Sequence, residues 1–188
     1  MASPEYEIVI QSPKGNQDPQ RRYTSSDINI PGFKHATGDN EGKDLAGFLK
    51  ADIFSPQDFP KVVDLFAGDG SWAQRLVSSG WKTEDITCID RAQTETPLVG
   101  GLNWHYWDLA LLARVIKDGN IMPDEVLGLK GKFDLAFLSF GACYLPSTAA
   151  SPDDFCGFFL RNGGLAYIEG DLKQKGEDGK LIPLPKFN

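Results

Sequence analysis

Cysteine is scarce: three residues in 188 (Cys88, Cys143 and Cys156), with no CxxC pair among them. Histidine is scarcer still, with only His35 and His105. An odd, dispersed set of thiols argues against a disulfide framework, and so few imidazoles give no zinc-ligand spacing. No metal is therefore expected, and a reducing compartment, cytoplasm or nucleus, is the expectation. A run of about 18 apolar residues, the length that spans a bilayer, is also missing. Residues 1–7 have neither the basic start nor the apolar core of a secretory leader. Positive charge is the minority sign, with 19 Lys and Arg against 26 Asp and Glu and a formal net charge of −7. Proteins that hold nucleic acid through its phosphates usually present a basic surface, so this balance favours a small-molecule or protein partner over RNA.

What remains is ordinary globular material: 41% apolar and 24% charged residues, enough for one core and one domain with a small appendage. Residues 1–58 are rich in Pro, Gly, Asn, Asp and Ser. Within them 6–10 could form a strand, and 42–54, with Leu45, Phe48, Leu49, Ile53 and Phe54, has the spacing of a one-sided helix. This reads as a loop-rich N-terminal segment with one helix, placed to fold over a site as a lid, followed by an α/β domain over 59–188.

From Pro60 onward strand and helix patterns alternate. Strands are expected at 61–66, 85–90, 102–106, 132–140 and 165–169. Helices are expected at 71–79, stopped by Gly80, at 109–116, and from Ser151-Pro152 to a stop at Asn162-Gly163-Gly164. Such alternation implies crossover units, a doubly wound, mostly parallel sheet and helices on both faces. Ligands of these sheets sit beyond the carboxyl ends of the strands, where the strand order reverses.

The strand exits are therefore the places to search. The first reads Asp64-Leu65-Phe66-Ala67-Gly68-Asp69-Gly70-Ser71-Trp72. Two glycines between strand and helix permit a tight turn and close approach to a ligand, with the helix-start N–H groups facing it. The second exit ends in Asp90, 20 residues beyond Gly70, where a carboxylate can accept the hydroxyls of a ribose. The third carries Trp104-His105-Tyr106-Trp107-Asp108-Leu109, in which Asp108 could accept from an exocyclic amino group, cap the following helix, or do both, and the aromatics could sandwich a ligand ring.

The series resembles the class I S-adenosylmethionine-dependent methyltransferases, whose first motif is an acid followed by a glycine-rich turn. Asp64 to Gly70 is similar to that motif, with Phe66 where many members carry the first of three glycines; an Asp-Leu-Phe-x-Gly variant also occurs in the superfamily. Asp90 matches the ribose-binding acid and Asp108-Leu109 the adenine-binding pair; 132–138 resembles the fourth motif strand and 162–165 the turn before the fifth. The resemblance covers roughly residues 60–170. It implies a Rossmann-like fold and S-adenosyl-L-methionine as cofactor. The implied contacts are Asp64, Phe66, Ala67, Gly68, Asp69, Gly70, Trp72, Asp90, Arg91, Trp107, Asp108, Leu109 and Ser139. It also implies methyl transfer to an oxygen or nitrogen acceptor. The family usually continues with a further helix and hairpin, whereas 18 residues follow Gly170 here. They suit a single hairpin pairing 172–175 with 180–184 around Asp178-Gly179, or a sheet edge completed by a second copy or a partner chain.

Two other readings use the same residues. Gly68 to Ala73 fits the G-x-G-x-x-A of an NAD(P)-dependent oxidoreductase, although Asp64 and Asp69 would place negative charge where a pyrophosphate must lie. A methyltransferase-like scaffold that catalyses nothing is the other, because the fourth exit, Ser139-Phe140-Gly141-Ala142-Cys143-Tyr144, has no acceptor motif of the base-methylating families. For the same reason no catalytic base stands out. Tyr144, Glu169 and His35 are the candidates, while His105 and Cys143 read as structural.

Overall fold

Every residue of Val62–Leu65 (β1), Ile86–Asp90 (β2) and Phe133–Leu138 (β4) is buried, as in strands covered on both faces, and each strand buries one aspartate. The computed structural model describes residues 54–91, 98–119, 122–139 and 142–184. In it these strands join Asn103–Tyr106 (β3), Leu160–Ile168 (β5), Asp171–Lys175 (β6) and Leu181–Pro183 (β7) in one sheet of order β3-β2-β1-β4-β5-β6-β7. β1 to β5 are parallel, and β6 and β7 turn back antiparallel. The chain builds outward from β1 to β3 and then returns to β1's other side with β4. The strand order therefore reverses between β1 and β4, and the carboxyl ends of these strands are where open α/β sheets carry their binding crevice.

Alternation along the strands divides the core in two. Val62, Ile86, Cys88, Leu135, Phe137, Leu165 and Tyr167 meet Ala73 and Leu76 of α1 (Ser71–Ser78) on one face. Val63, Leu65, Ile89, Ala136, Leu138 and Ala166 meet α2 (Leu109–Asp118), α3 (Asp124–Leu127) and α4 (Pro152–Phe159) on the other. This is the doubly wound α/β architecture read from the sequence. α4 begins as its sequence predicts: Ser151 Oγ accepts from Asp154 N–H at 3.1 Å, with Pro152 in the first helical position. A cap of this kind contributes about 1 kcal/mol.

Three local expectations need correction. α4 does not run to Asn162-Gly163-Gly164; it ends at Phe159, and β5 starts at once at Leu160. The glycine pair is a bulge inside β5, where the register with β4 shifts between Phe133 and Leu135. A side chain at Gly164 would lie 3.0 Å from Arg161 O and 3.1 Å from Asp134 O, so the glycine serves a close backbone approach rather than a helix stop. α2 runs two residues past the expected 116, to a left-handed Gly119, and the short α3 had no sequence signal. The 172–175 and 180–184 segments do pair, with Gln174 opposite Ile182. The strand at 6–10, all of the 42–54 helix except Phe54, and residues 1–53 of the lid lie outside the described residues; Phe54 itself is buried against Phe137. No helix among the described residues is long and apolar enough to cross a membrane.

Candidate functional site

The turn after β1 takes its shape from three left-handed residues in alternation: Phe66 (φ 61°), Gly68 (φ 58°) and Gly70 (φ 83°). Glycine adopts this conformation freely and phenylalanine does not. Phe66 is thus an L side chain held where a glycine would be relaxed, and its ring stacks on Tyr144 at 6.0 Å. At Gly70 only the backbone angle calls for glycine: a Cβ there would make an ordinary contact with Trp104 Cζ2 at 3.4 Å. Ala67 is buried in the α1-side core.

Hydrogen bonds from β2 fasten this turn. Phe66 and Ala67 donate to Ile89 O at 2.9 and 3.2 Å, and Gly68 N–H donates to Asp90 Oδ2 at 2.9 Å. Asp69 Oδ1 accepts from Ser71 N–H at 3.0 Å, at the start of α1. Two backbone donors that the sequence reading assigned to a ligand are therefore taken by carboxylates of the chain itself.

Asp64 is the unusual group. Register places it between Cys88 of β2 and Phe137 of β4, on the α1 face at the switch point. It is 1% exposed, and its Oδ2 has no hydrogen-bond partner. Burial, and then the charges of Asp90 and Asp69, push its carboxyl up to about 8. Ser139, 5% exposed just beyond β4, also leaves its buried Oγ without a partner. Alternation along β4 puts Ser139 on the same face as Phe137 and Asp64. Buried polar atoms are nearly always satisfied, and these two orphans lie on one face of the sheet at the switch point.

The remaining expected residues divide. Asp108 caps α2, accepting from Leu111 N–H at 3.1 Å, and its Oδ2 lies 3.8 Å from Nη1 of the exposed Arg91. Leu109 and Trp107 belong to the core on the α2 side, where Trp107 is 1% exposed and packs on His105 at 4.7 Å. Burial lowers the pKa of His105, against a raising influence of Glu125. Trp72 stacks on Phe137 at 5.5 Å as part of the α1 packing. Tyr144 is 42% exposed beside the β4 exit. Glu169 is exposed in the two-residue turn between β5 and β6, with φ 48°. His35 and Phe140-Gly141 lie outside the described residues.

The sequence offers the aromatics of 104–107 as a group, without assigning each ring to a face of the sheet. Trp104 and Tyr106 stack at 6.2 Å with their planes 6° apart. Tyr106 is the register partner of Asp90, and Trp104 packs with the α1-side core. Alternation through 103–107 would have found them, because it sends Trp104 and Tyr106 to Asp90's face and His105 and Trp107 to the other.

No family model and no curated protein matches the chain. Among solved structures, it is similar to an S-adenosylmethionine-dependent methyltransferase from Mesorhizobium loti, at 15% identity and a TM-score of 0.42. The likeness covers 78% of this chain and 66% of that one.

Proposed function

We propose that the chain binds S-adenosyl-L-methionine at the β1–β4 crevice and transfers its methyl group to an oxygen or nitrogen of a small-molecule or protein acceptor. The observation that carries this reading is Asp64: a buried, orphaned carboxyl beside two further acids, at the carboxyl ends of the strands where such sheets bind ligands. A cation-bearing nucleoside suits that set. A dinucleotide does not, because Asp69 and Asp90 already hold turn N–H groups that a pyrophosphate would need. The hairpin turn from β5 into β6 likewise departs from the two parallel halves of a dinucleotide fold.

The cofactor would supply an activated methyl on a sulfonium centre. The chain's own residues would bind and orient. Asp90, one oxygen of which accepts from Gly68, would present its carboxylate to ribose hydroxyls. Asp108 can cap α2 and still present Oδ2, and the Trp104–Tyr106 pair stands beside Asp90 as an apolar wall. Phe66 and Tyr144 at the mouth of the crevice would position the acceptor. Methyl transfer chiefly requires in-line approach, so positioning accounts for most of what the protein must do. A chain pairing at the C-terminal sheet edge would meet a three-residue β7 ending in Pro183, which has no amide to donate.

Thermal unfolding and calorimetry with S-adenosylmethionine, its demethylated product and NAD test the reading. A ligand at a hundred times its Kd should stabilise the fold by about 2.7 kcal/mol. Both sulfur nucleosides should do so and NAD should not. Stabilisation by NAD alone would favour the oxidoreductase, and by none of the three a scaffold. Incorporation of labelled methyl into acceptor pools then separates an active enzyme from a scaffold that retains the cofactor.

A further inference from the structure

Resting on that reading, we infer that Asp64 is a proton-exchange subsite. In the ligand-free protein it holds a neutral carboxyl, and a cationic ligand displaces one proton to solvent as it seats.

The geometry separates the three acids of the turn by what they touch. Asp69 and Asp90 each accept a backbone N–H, from Ser71 and Gly68. Asp64 Oδ2 receives nothing. The groups that the neighbouring elements bring to this face are Cys88 of β2, Phe137 and Ser139 of β4 and its exit, Tyr167 of β5, and Asp69 and Asp90. Arg75 of α1 lies over the Trp72 ring at 5.9 Å, and among the described residues no lysine or arginine is ion-paired with Asp64. A charge on Asp64 would thus be buried, unbonded and repelled by two others. A proton removes that cost in the empty site, and burial with the same two repulsions raises the carboxyl accordingly. Ser139 Oγ, orphaned and 5% exposed, offers a hydroxyl to the same space.

An arriving positive centre changes the balance. It stabilises the carboxylate, the O–H bond of Asp64 breaks, and the proton leaves to solvent, so the charge of the filled site equals that of the empty one. Recognition is then by charge exchange: a ligand without a cationic group would bind without releasing a proton, and less tightly.

Calorimetry of the full chain with S-adenosylmethionine in phosphate and in imidazole, near pH 6.5, tests this. The two buffers differ in ionisation enthalpy, so the difference in observed heat counts protons. About one proton per ligand is expected, with affinity rising by up to about tenfold per pH unit below the Asp64 pKa. Asp64→Asn, isosteric with the neutral carboxyl, should bind with no release and a flat pH profile. Binding with a proton count near zero, or an equal count in D64N, overturns the inference and leaves the cofactor reading standing. Failure to bind in either buffer overturns both. If D64N does not fold, the wild-type buffer pair and pH series decide alone.

Discussion

Gly68 gives its backbone N–H to Asp90 Oδ2 at 2.9 Å, so the acid at the tip of β2 holds the glycine turn that follows β1. Asp90 therefore acts twice in the proposed site, once on the turn and once on a ligand hydroxyl. Asp90→Ala should weaken S-adenosylmethionine binding by at least about 1–3 kcal/mol, the cost of an unsatisfied buried partner. Asp90→Asn, which keeps an oxygen for Gly68, should lose less. Titration calorimetry on both variants checks this, and an unchanged affinity in a folded Asp90→Ala protein would remove Asp90 from the site.

Phe66 sits at φ 61° with its ring on Tyr144. Replacing it by alanine removes the stack and keeps the backbone strain. Glycine removes both. The usual order, in which glycine is less stable than alanine, should invert here, with Phe66→Gly exceeding Phe66→Ala by about 1 kcal/mol. Urea unfolding of the pair reads the difference directly.

The buried Asp64 also makes the stability of the empty protein depend on pH. Its pKa rises from 3.8 to about 8 on folding, so between those values the folded state binds more protons than the unfolded. Stability from this group is full below about pH 4 and is lost as pH climbs through 8. His105 acts with the opposite sign: its pKa is lowered from 6.5, so its contribution is present above that value and lost as pH falls. The difference in unfolding free energy between wild type and Asp64→Asn, followed from pH 4.5 to 8.5, isolates the carboxyl. It should change steadily against the wild type as pH rises; a constant difference would mean that Asp64 is ionised throughout.

Glu169 and Gly170 form the two-residue turn between β5 and β6, at φ 48° and 96°. Two left-handed residues in such a loop favour Asn-Gly. Glu169→Asn should raise stability by about 1 kcal/mol by relieving the strained glutamate. If methyl transfer is measured and survives in this variant, Glu169 is a turn residue; if it is lost while stability rises, Glu169 is the general base.

Much of the fold was legible because its signals are local. Mostly apolar runs at 61–66 and 132–140, each holding one aspartate, read as buried strands, Ser151-Pro152 as a helix start, and Asp178-Gly179 as a hairpin. Asn162-Gly163-Gly164 misled, since a glycine pair ends a helix or bulges a strand with the same sequence, and only pairing with β4 selects the bulge. The aromatic run at 104–107 misled for a related reason: composition marked the place, but the face of each ring follows from strand register.

The order of chemical groups along the chain, an acid, a glycine turn and further acids at successive strand ends, belongs to the sequence alone. It suffices for the fold class and for the end of the sheet where a ligand should lie, because helix and strand periods are properties of neighbouring residues. Tertiary structure decided what each acid does. Asp90 holds the turn, Asp108 caps α2, Asp69 takes the Ser71 N–H, and Asp64 is left buried with its Oδ2 unbonded. Those differences arise from burial and from contacts across the sheet, and these exist only once distant segments have been packed side by side.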